Sequence, residues 1–294
     1  MKRLPVPTFH ELELFDACIG EMDEIAEEMF TASRPHIQAA ANAFAAQSAT
    51  QTWCHLPRAR HGHREDLIAG NLSKGELMDL YDEGVVKSNG RPRNIYDQIL
   101  VAAQGRCPYC ADIGSARTLD HYLPKAKFPA LSVHPHNLIP ACRDCNTDAG
   151  AGFPQLMNLQ PIHPYLDNDS FFSERWIRAE IIRCEPVVVR FFASPPVHWP
   201  AVDQQRARQH FEDCGLKDRF SNQVAGELSP LILQRKSTLA VFSSAQFEAH
   251  LRVIAEDNNL LLNGWKRTMY LALCESNWFC SADFNGNWLP NDCR

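Results

Sequence analysis

Three short stretches between residues 107 and 146 decide the fold: CPYC at 107–110, LDHYLP at 119–124 and HNLIPACRDCN at 136–146. Cys107 and Cys110 form one CxxC pair, and Cys142 and Cys145 form a second. Four thiolates are the full complement of a closed tetrahedral zinc site. Two such pairs in a chain without a secretion signal favour zinc over disulfides. Because cysteine fills every coordination position, we expect this zinc to be structural and not catalytic.

The residues around the cysteine pairs predict a hairpin followed by a helix. We expect a first strand near residues 117–121, a second strand at 138–141, and a helix that begins near Arg143. The segment between the strands contains Pro124, Pro129 and Pro135, which is typical of an irregular loop. A zinc ion would link the start of the helix to the turn before the first strand. In such a small unit, this link would supply stability that a large hydrophobic core would otherwise provide.

The combined pattern resembles the HNH, or ββα-metal, endonucleases, specifically their zinc-knuckle branch. The matching features are the two cysteine pairs, the Asp120-His121 pair, and Asn137 and Asn146 at the family's spacing. The resemblance is confined to residues 107–146, and it is specific because all of these features occur together. It implies hydrolysis of a nucleic-acid backbone at this hairpin.

The resemblance also implies a role for each residue. His121 is the expected general base, Asp120 and Asn146 are the expected ligands of a catalytic Mg²⁺ or Mn²⁺, and Asn137 is expected to brace the loop that orients His121. These roles agree with elementary chemistry, since a neutral imidazole accepts a proton from water near pH 7. Carboxylate and amide oxygens are also the ligands that hard divalent cations prefer.

One position departs from the family pattern. Many relatives carry lysine or histidine three residues after the last asparagine, where this chain has Ala149 with Asp148 beside it. The source of a phosphate contact or a further metal ligand at this point is therefore open.

Local charge favours a nucleic-acid substrate. The whole chain has 29 Lys and Arg against 35 Asp and Glu, a net charge of −6, which argues against a basic coat over the entire surface. Residues 87–127, however, contain seven basic and three acidic residues. We therefore expect phosphate contacts from Arg117, Lys125 and Lys127. DNA is the expected substrate, and RNA stays open.

The predicted fold class is α+β. A mainly helical segment over 1–92, which could dock a partner, precedes the nuclease domain at 93–160, and a mixed, largely helical segment of unassigned role follows at 161–294. An acidic amphipathic helix is expected over 8–33, and a separate alanine-rich helix over 37–49 after Pro35. The runs AEII and VVVRFF between 176 and 192 predict strands. No apolar run could span a bilayer, so a cytoplasmic location is expected.

The sequence thus predicts a metal-dependent HNH endonuclease that cuts DNA. By resemblance alone, bacterial anti-phage systems such as Septu pair a similar subunit with an ATPase, which makes an ATPase a candidate partner and defence a candidate role. Two alternatives remain open: a non-catalytic, zinc-stabilised nucleic-acid-binding protein, and a nuclease directed at RNA.

Overall fold

The N-terminal helices and the cysteine-rich hairpin share one hydrophobic core. The structure, a computed structural model, describes residues 1–149 and 152–285, with only the backbone of residues 148 and 149. Residues 3–167 form one compact unit, here the N-terminal unit; residues 1–2 and those from 168 onward form the C-terminal unit. Phe15 and Ile95 lie in the same core cluster as Leu119 and Leu138. Packing therefore joins the predicted segments 1–92 and 93–160, whose separate functional roles stay a prediction.

Among its described residues, the N-terminal unit combines five helices with two small antiparallel hairpins. The helices are α1 (Glu13–Ile19), α2 (Glu24–Ser48), α3 (Lys74–Tyr81), α4 (Arg91–Val101) and α5 (Arg143–Ala149). The strands are β1 (Leu67–Ala69), β2 (Leu72–Ser73), β3 (Thr118–His121) and β4 (Leu138–Ala141). Short helical turns lie at Trp53–His55, Asp82–Val86, Pro129–Leu131, Pro135–Asn137 and Met157–Leu159. The predicted α+β class is confirmed.

The predicted helix boundaries before residue 50 are wrong. The single helix expected over 8–33 is two helices, because Asp23 caps a new helix by accepting a hydrogen bond from the Ala26 N–H at 3.0 Å. The break expected at Pro35 is absent, since Pro35 lies inside α2. Pro35 is exposed, so its ring meets solvent, and the buried side chains of Phe30 and Ile37 anchor the helix on either side of it. Packing outweighs the hydrogen bond that proline removes.

The predicted strand–loop–strand–helix order is confirmed at the cysteine-rich segment. Strands β3 and β4 pair antiparallel, with Thr118 opposite Ala141 and His121 opposite Leu138. Two tyrosines from the N-terminal helices close the outer edge of β3: the Leu119 N–H donates to the Tyr96 hydroxyl at 3.1 Å, and the Tyr81 hydroxyl donates to the Leu119 carbonyl at 3.1 Å. The short hairpin is therefore held by the helices as well as by its own ladder.

The C-terminal unit is a long hairpin with helices. Its strands are β5 (Ile177–Ile182) and β6 (Val188–Ala193), which pair antiparallel from Ile177 opposite Ala193 to Ile182 opposite Val188. Its helices are α6 (Ser170–Ser173), α7 (Ala201–Asp213), α8 (Leu216–Lys236), α9 (Ser244–Ala255), α10 (Trp265–Glu275) and α11 (Asn277–Ser281). Fully buried aromatic side chains, such as Trp176, Phe220 and Phe247, form its core. In the described part of the chain, no helix is both long and apolar enough to cross a membrane.

Candidate active site

Four cysteine sulfurs meet at one point beside the β3–β4 hairpin. The Sγ atoms of Cys107, Cys110, Cys142 and Cys145 all lie within 4.8 Å of one another, and all four residues are buried. The Cys110 and Cys142 Sγ atoms are 4.0 Å apart. Sulfurs bound to zinc at about 2.3 Å in a tetrahedron would be roughly 3.8 Å apart. The predicted cluster therefore has the donors and the spacing of a structural zinc site.

Backbone groups around the cluster favour the thiolate form that zinc requires. The Gly114 N–H donates to the Cys110 Sγ at 3.2 Å, and the Cys145 N–H donates to the Cys142 Sγ at 3.5 Å. Hydrogen bonds from the neighbouring thiols, with this backbone N–H, lower the pKa of the Cys142 thiol. Gly114 also has to be glycine, because a Cβ there would lie 2.5 Å from both the Cβ and the Sγ of Cys142. The sequence alone did not identify Gly114 as part of the cluster, because it lies outside both CxxC pairs.

His121 is held with one ring nitrogen facing a carbonyl. Its Nε2 lies 2.8 Å from the Ser132 carbonyl oxygen. Because a carbonyl can only accept, Nε2 carries the proton and Nδ1 keeps a free lone pair. The Tyr81 ring packs edge-on against the imidazole, with the ring centroids 4.4 Å apart. Burial lowers the pKa of His121 to about 4, so the imidazole is neutral near pH 7 and able to accept a proton.

Asn137 ties together both ends of the loop between the strands. Its Oδ1 accepts from the Leu123 N–H at 2.7 Å, and its Nδ2 donates to the carbonyls of Leu123 and Leu131, both at 3.0 Å. The side chain is fully buried. Leu131 precedes Ser132, whose carbonyl accepts from His121, so Asn137 fixes the segment that orients the imidazole.

We expect Asn137→Asp to destabilise the N-terminal unit by about 2–4 kcal/mol, because a carboxylate cannot donate to the two carbonyls and leaves them unpaired in a buried position. Urea unfolding of the zinc-loaded protein would measure the change. Asn94→Asp is the matched control, since Asn94 is exposed and its replacement should shift the midpoint little. Equal midpoints for the two variants would contradict the bracing role.

Asp120 and Asn146 lie on the side of β3 opposite the core. Thr118 and Asp120 alternate with the buried Leu119 along the strand, and the Asn146 Nδ2 lies 3.4 Å from the Thr118 Oγ1. Burial raises the pKa of Asp120 to about 7. Among the described side chains, none pairs with this carboxylate. A bound divalent cation would supply the missing charge partner, so the donor set fits a hard metal ion.

The predicted metal ligand Asp120 and the imidazole of His121 both act on the same tyrosine. His121 packs on the Tyr81 ring, while burial and then the nearby charges of Tyr96 and Asp120 raise the pKa of the Tyr81 hydroxyl. Asp120 and His121 are the last two residues of β3. His121 is thus in ring contact with Tyr81, and Asp120 affects the Tyr81 hydroxyl through its charge; that both side chains address one phosphate stays a prediction. Tyr81 and Ser132 were not found from the sequence, since neither belongs to a local motif.

The three residues that are predicted to contact phosphate differ in whether an ion pair already neutralises their charge. The Lys125 ammonium pairs with Asp82 and lies 5.1 Å from the centre of the Tyr81 ring. Arg117 is exposed and Lys127 is half-buried, and neither forms an ion pair with any described residue. The departure from the family pattern concerns Ala149 and its neighbour Asp148. The side chains of both residues lie outside the part of the chain that the structure describes.

Comparison with known proteins agrees with this geometry. A family model described as HNH endonuclease matches residues 107–152. Protein ea31 of Escherichia phage lambda is 34% identical over 293 residues, which covers 95% of this chain and 99% of that protein. No solved structure matches the chain. The chain therefore belongs to the same family as Protein ea31, and it carries an HNH endonuclease domain with a four-cysteine zinc-knuckle cluster at residues 107–152.

Proposed function

We propose that the protein is a metal-dependent endonuclease that hydrolyses DNA phosphodiester bonds at the β3–β4 hairpin. The HNH domain makes nucleic acid the substrate class. The observation that carries the proposal is the hydrogen bond from the His121 Nε2–H to the Ser132 carbonyl, because it leaves Nδ1 as the proton acceptor. An imidazole fixed in this way meets the first requirement of a general base, which is geometry.

The chain's own residues prepare the hydrolysis. His121 Nδ1 takes the proton of the attacking water, while the Ser132 carbonyl stabilises the imidazolium that forms, as an acceptor of the Nε2–H. Asn137 and Tyr81 keep the ring from turning. Asp120 and Asn146 would hold a Mg²⁺ or Mn²⁺ ion, which supplies positive charge at the phosphate and the leaving oxygen. The four cysteines would hold a structural zinc, apart from the chemistry.

A cleavage assay with defined substrates tests this proposal. Zinc-loaded full-length protein is incubated with supercoiled plasmid, single-stranded DNA or RNA, with added Mg²⁺, with added Mn²⁺ or without either metal. We expect nicking of plasmid with either metal and none when both are omitted. Cleavage of RNA alone would favour the RNA-directed alternative. DNA binding without cleavage under every metal condition would favour the non-catalytic alternative.

Arg117 is expected to contact a phosphate without contributing to chemistry. Arg117→Ala should weaken DNA binding to a similar extent for all sequences and reduce the slope of log affinity against log salt by about 1. Fluorescence anisotropy without added Mg²⁺ or Mn²⁺ measures both quantities. Lys125→Ala should change the slope less, because the Lys125 charge already pairs with Asp82. A larger effect for Lys125 than for Arg117 would contradict this ranking.

The proposal also covers the location of the protein in the cell, its partner and its role. A four-thiolate zinc site requires reduced cysteines, which supports a cytoplasmic location. An ATPase partner and a role in anti-phage defence rest on the resemblance alone, and co-purification from the native host would test them. The acidic face of α1 and α2 is the proposed docking surface for such a partner.

A further inference from the structure

The C-terminal unit brings three arginines together at the start of its hairpin. Arg175 precedes β5, Arg178 lies on β5, and Arg267 lies in the first turn of α10. The buried side chain of Asn263 connects these elements: its Oδ1 accepts from the backbone N–H groups of Trp176 and Ile177 at 2.9 and 3.1 Å. Its Nδ2 donates to the Glu174 carbonyl at 2.8 Å. The backbone on both sides of Arg175 is thus held by a buried amide.

The guanidinium groups in this arginine cluster lack anionic partners. The Nε atoms of Arg175 and Arg267 are buried without a hydrogen-bond partner among the described residues. A terminal nitrogen of Arg267 donates to the Asp257 carbonyl, which is neutral. No described carboxylate forms an ion pair with Arg175, Arg178 or Arg267. Elsewhere in the unit, Arg190 and Arg252 pair directly with Glu180 and Glu248.

The cluster also carries an electrostatic cost that an anion would remove. Burial lowers the pKa of Arg175, and repulsion from Arg178 and Arg267 lowers it further, while only the exposed Glu275 acts in the opposite direction. Buried donors without partners are unusual in folded proteins, and each one costs free energy. Guanidinium groups present forked donors that match phosphate oxygens. An oxyanion bound at the solvent-accessible part of the three guanidinium groups would offset the repulsion among them.

We propose that the arginine cluster of Arg175, Arg178 and Arg267 binds a backbone phosphate of the nucleic-acid substrate, as a contact of the C-terminal unit outside the HNH hairpin. This inference rests on the proposed function only in taking nucleic acid as the substrate class. Arg178 is exposed, while Arg175 and Arg267 are half-buried, so the cluster is open to a polymer and not closed around a small ion. Phosphate contacts of this kind supply affinity without base specificity.

Binding of labelled duplex DNA without added Mg²⁺ or Mn²⁺ tests the inference on the zinc-loaded full-length protein. Arg175→Gln combined with Arg267→Gln should lower affinity by about tenfold and reduce the salt slope by about 2. Arg252→Gln is the matched control, because Arg252 lies on the adjacent helix α9 and its charge is already paired; it should bind as the unaltered protein does. Unchanged affinity and slope in the double variant would overturn the inference.

Two further arms separate the other outcomes. If the double variant fails to fold by circular dichroism, Arg178→Gln replaces it, since this exposed side chain supports no described contact; it should reduce the slope by about 1, and no change would overturn the inference. Competition with inorganic pyrophosphate identifies the ligand. If the variants lose pyrophosphate binding but keep DNA affinity, the cluster binds a free phosphate compound and the nucleic-acid assignment is wrong.

Failure of this inference is distinguishable from failure of the proposed nuclease function. A protein that binds DNA through the cluster but never cleaves it would retain the phosphate site and lose the endonuclease proposal. A protein that cleaves DNA and whose arginine variants bind normally would retain the nuclease and lose only the cluster.

Discussion

Gly114→Ala is expected to abolish zinc binding and to unfold the β3–β4 hairpin. The new Cβ would lie 2.5 Å from the Cβ and the Sγ of Cys142 and 3.4 Å from the Cys110 Sγ. The backbone cannot move aside easily, because the Gly114 carbonyl accepts from the Cys107 N–H at 2.9 Å and its N–H donates to the Cys110 Sγ. Cys142 must therefore leave the tetrahedron, and the loss should exceed about 3 kcal/mol, since zinc binding is folding free energy in such sites.

Zinc content and thermal unfolding together measure this effect. We expect one tightly held zinc in the unaltered protein, little or no zinc in Gly114→Ala, and a matching fall in the unfolding temperature. Gly152→Ala is the control, because a Cβ there meets no atom within 4 Å. Full zinc and normal stability in Gly114→Ala would contradict the requirement for glycine at position 114.

His121→Ala is expected to reduce metal-dependent cleavage by a factor of roughly 10²–10⁴, the usual contribution of a positioned general base. His121→Gln should be almost as inactive. A glutamine amide can still donate toward the Ser132 carbonyl, which accepts from His121 in the native protein, but it cannot take a proton from water. Single-turnover nicking rates with Mn²⁺ measure the loss.

Two readouts separate lost chemistry from lost structure in the His121 variants. Zinc content, and DNA affinity without added Mg²⁺ or Mn²⁺, should stay at the level of the unaltered protein, because His121 makes no described contact with the cysteines or with Arg117. His61→Ala is the matched control, since His61 is exposed and has no described side-chain contact, and it should cleave normally. Near-normal cleavage by His121→Gln would exclude His121 as the base.

The local part of the site could be predicted from the sequence because its signals are short-range. The two cysteine pairs fix the zinc cluster, and the residues between them fix both strands and the start of α5 within a few positions. The contacts that support the site arise at long range. Tyr81 and Tyr96 reach the edge of β3 from separate helices, and no spacing rule links them to Leu119.

Long-range contacts also explain the incorrect or incomplete predictions. The count of charges over residues 87–127 led to the expectation that Lys125 contacts a phosphate. The Lys125 ammonium pairs with Asp82, which lies outside that stretch. The proline rule ended a helix at Pro35, whereas packing of Phe30 and Ile37 continues it. Asn137 was expected to brace the loop, and its three hydrogen bonds show how it could do so, although its catalytic importance stays a prediction.

Metal binding by Asp120→Ala tests the central claim most directly. The claim is that one hairpin holds two different metals: a zinc in the cysteine cluster and a hard divalent ion at Asp120 and Asn146. Zinc content by mass spectrometry and Mn²⁺ binding by electron paramagnetic resonance are measured on the same samples. We predict that Asp120→Ala keeps one zinc per chain and loses Mn²⁺ binding. Unchanged Mn²⁺ binding in this variant would contradict the account.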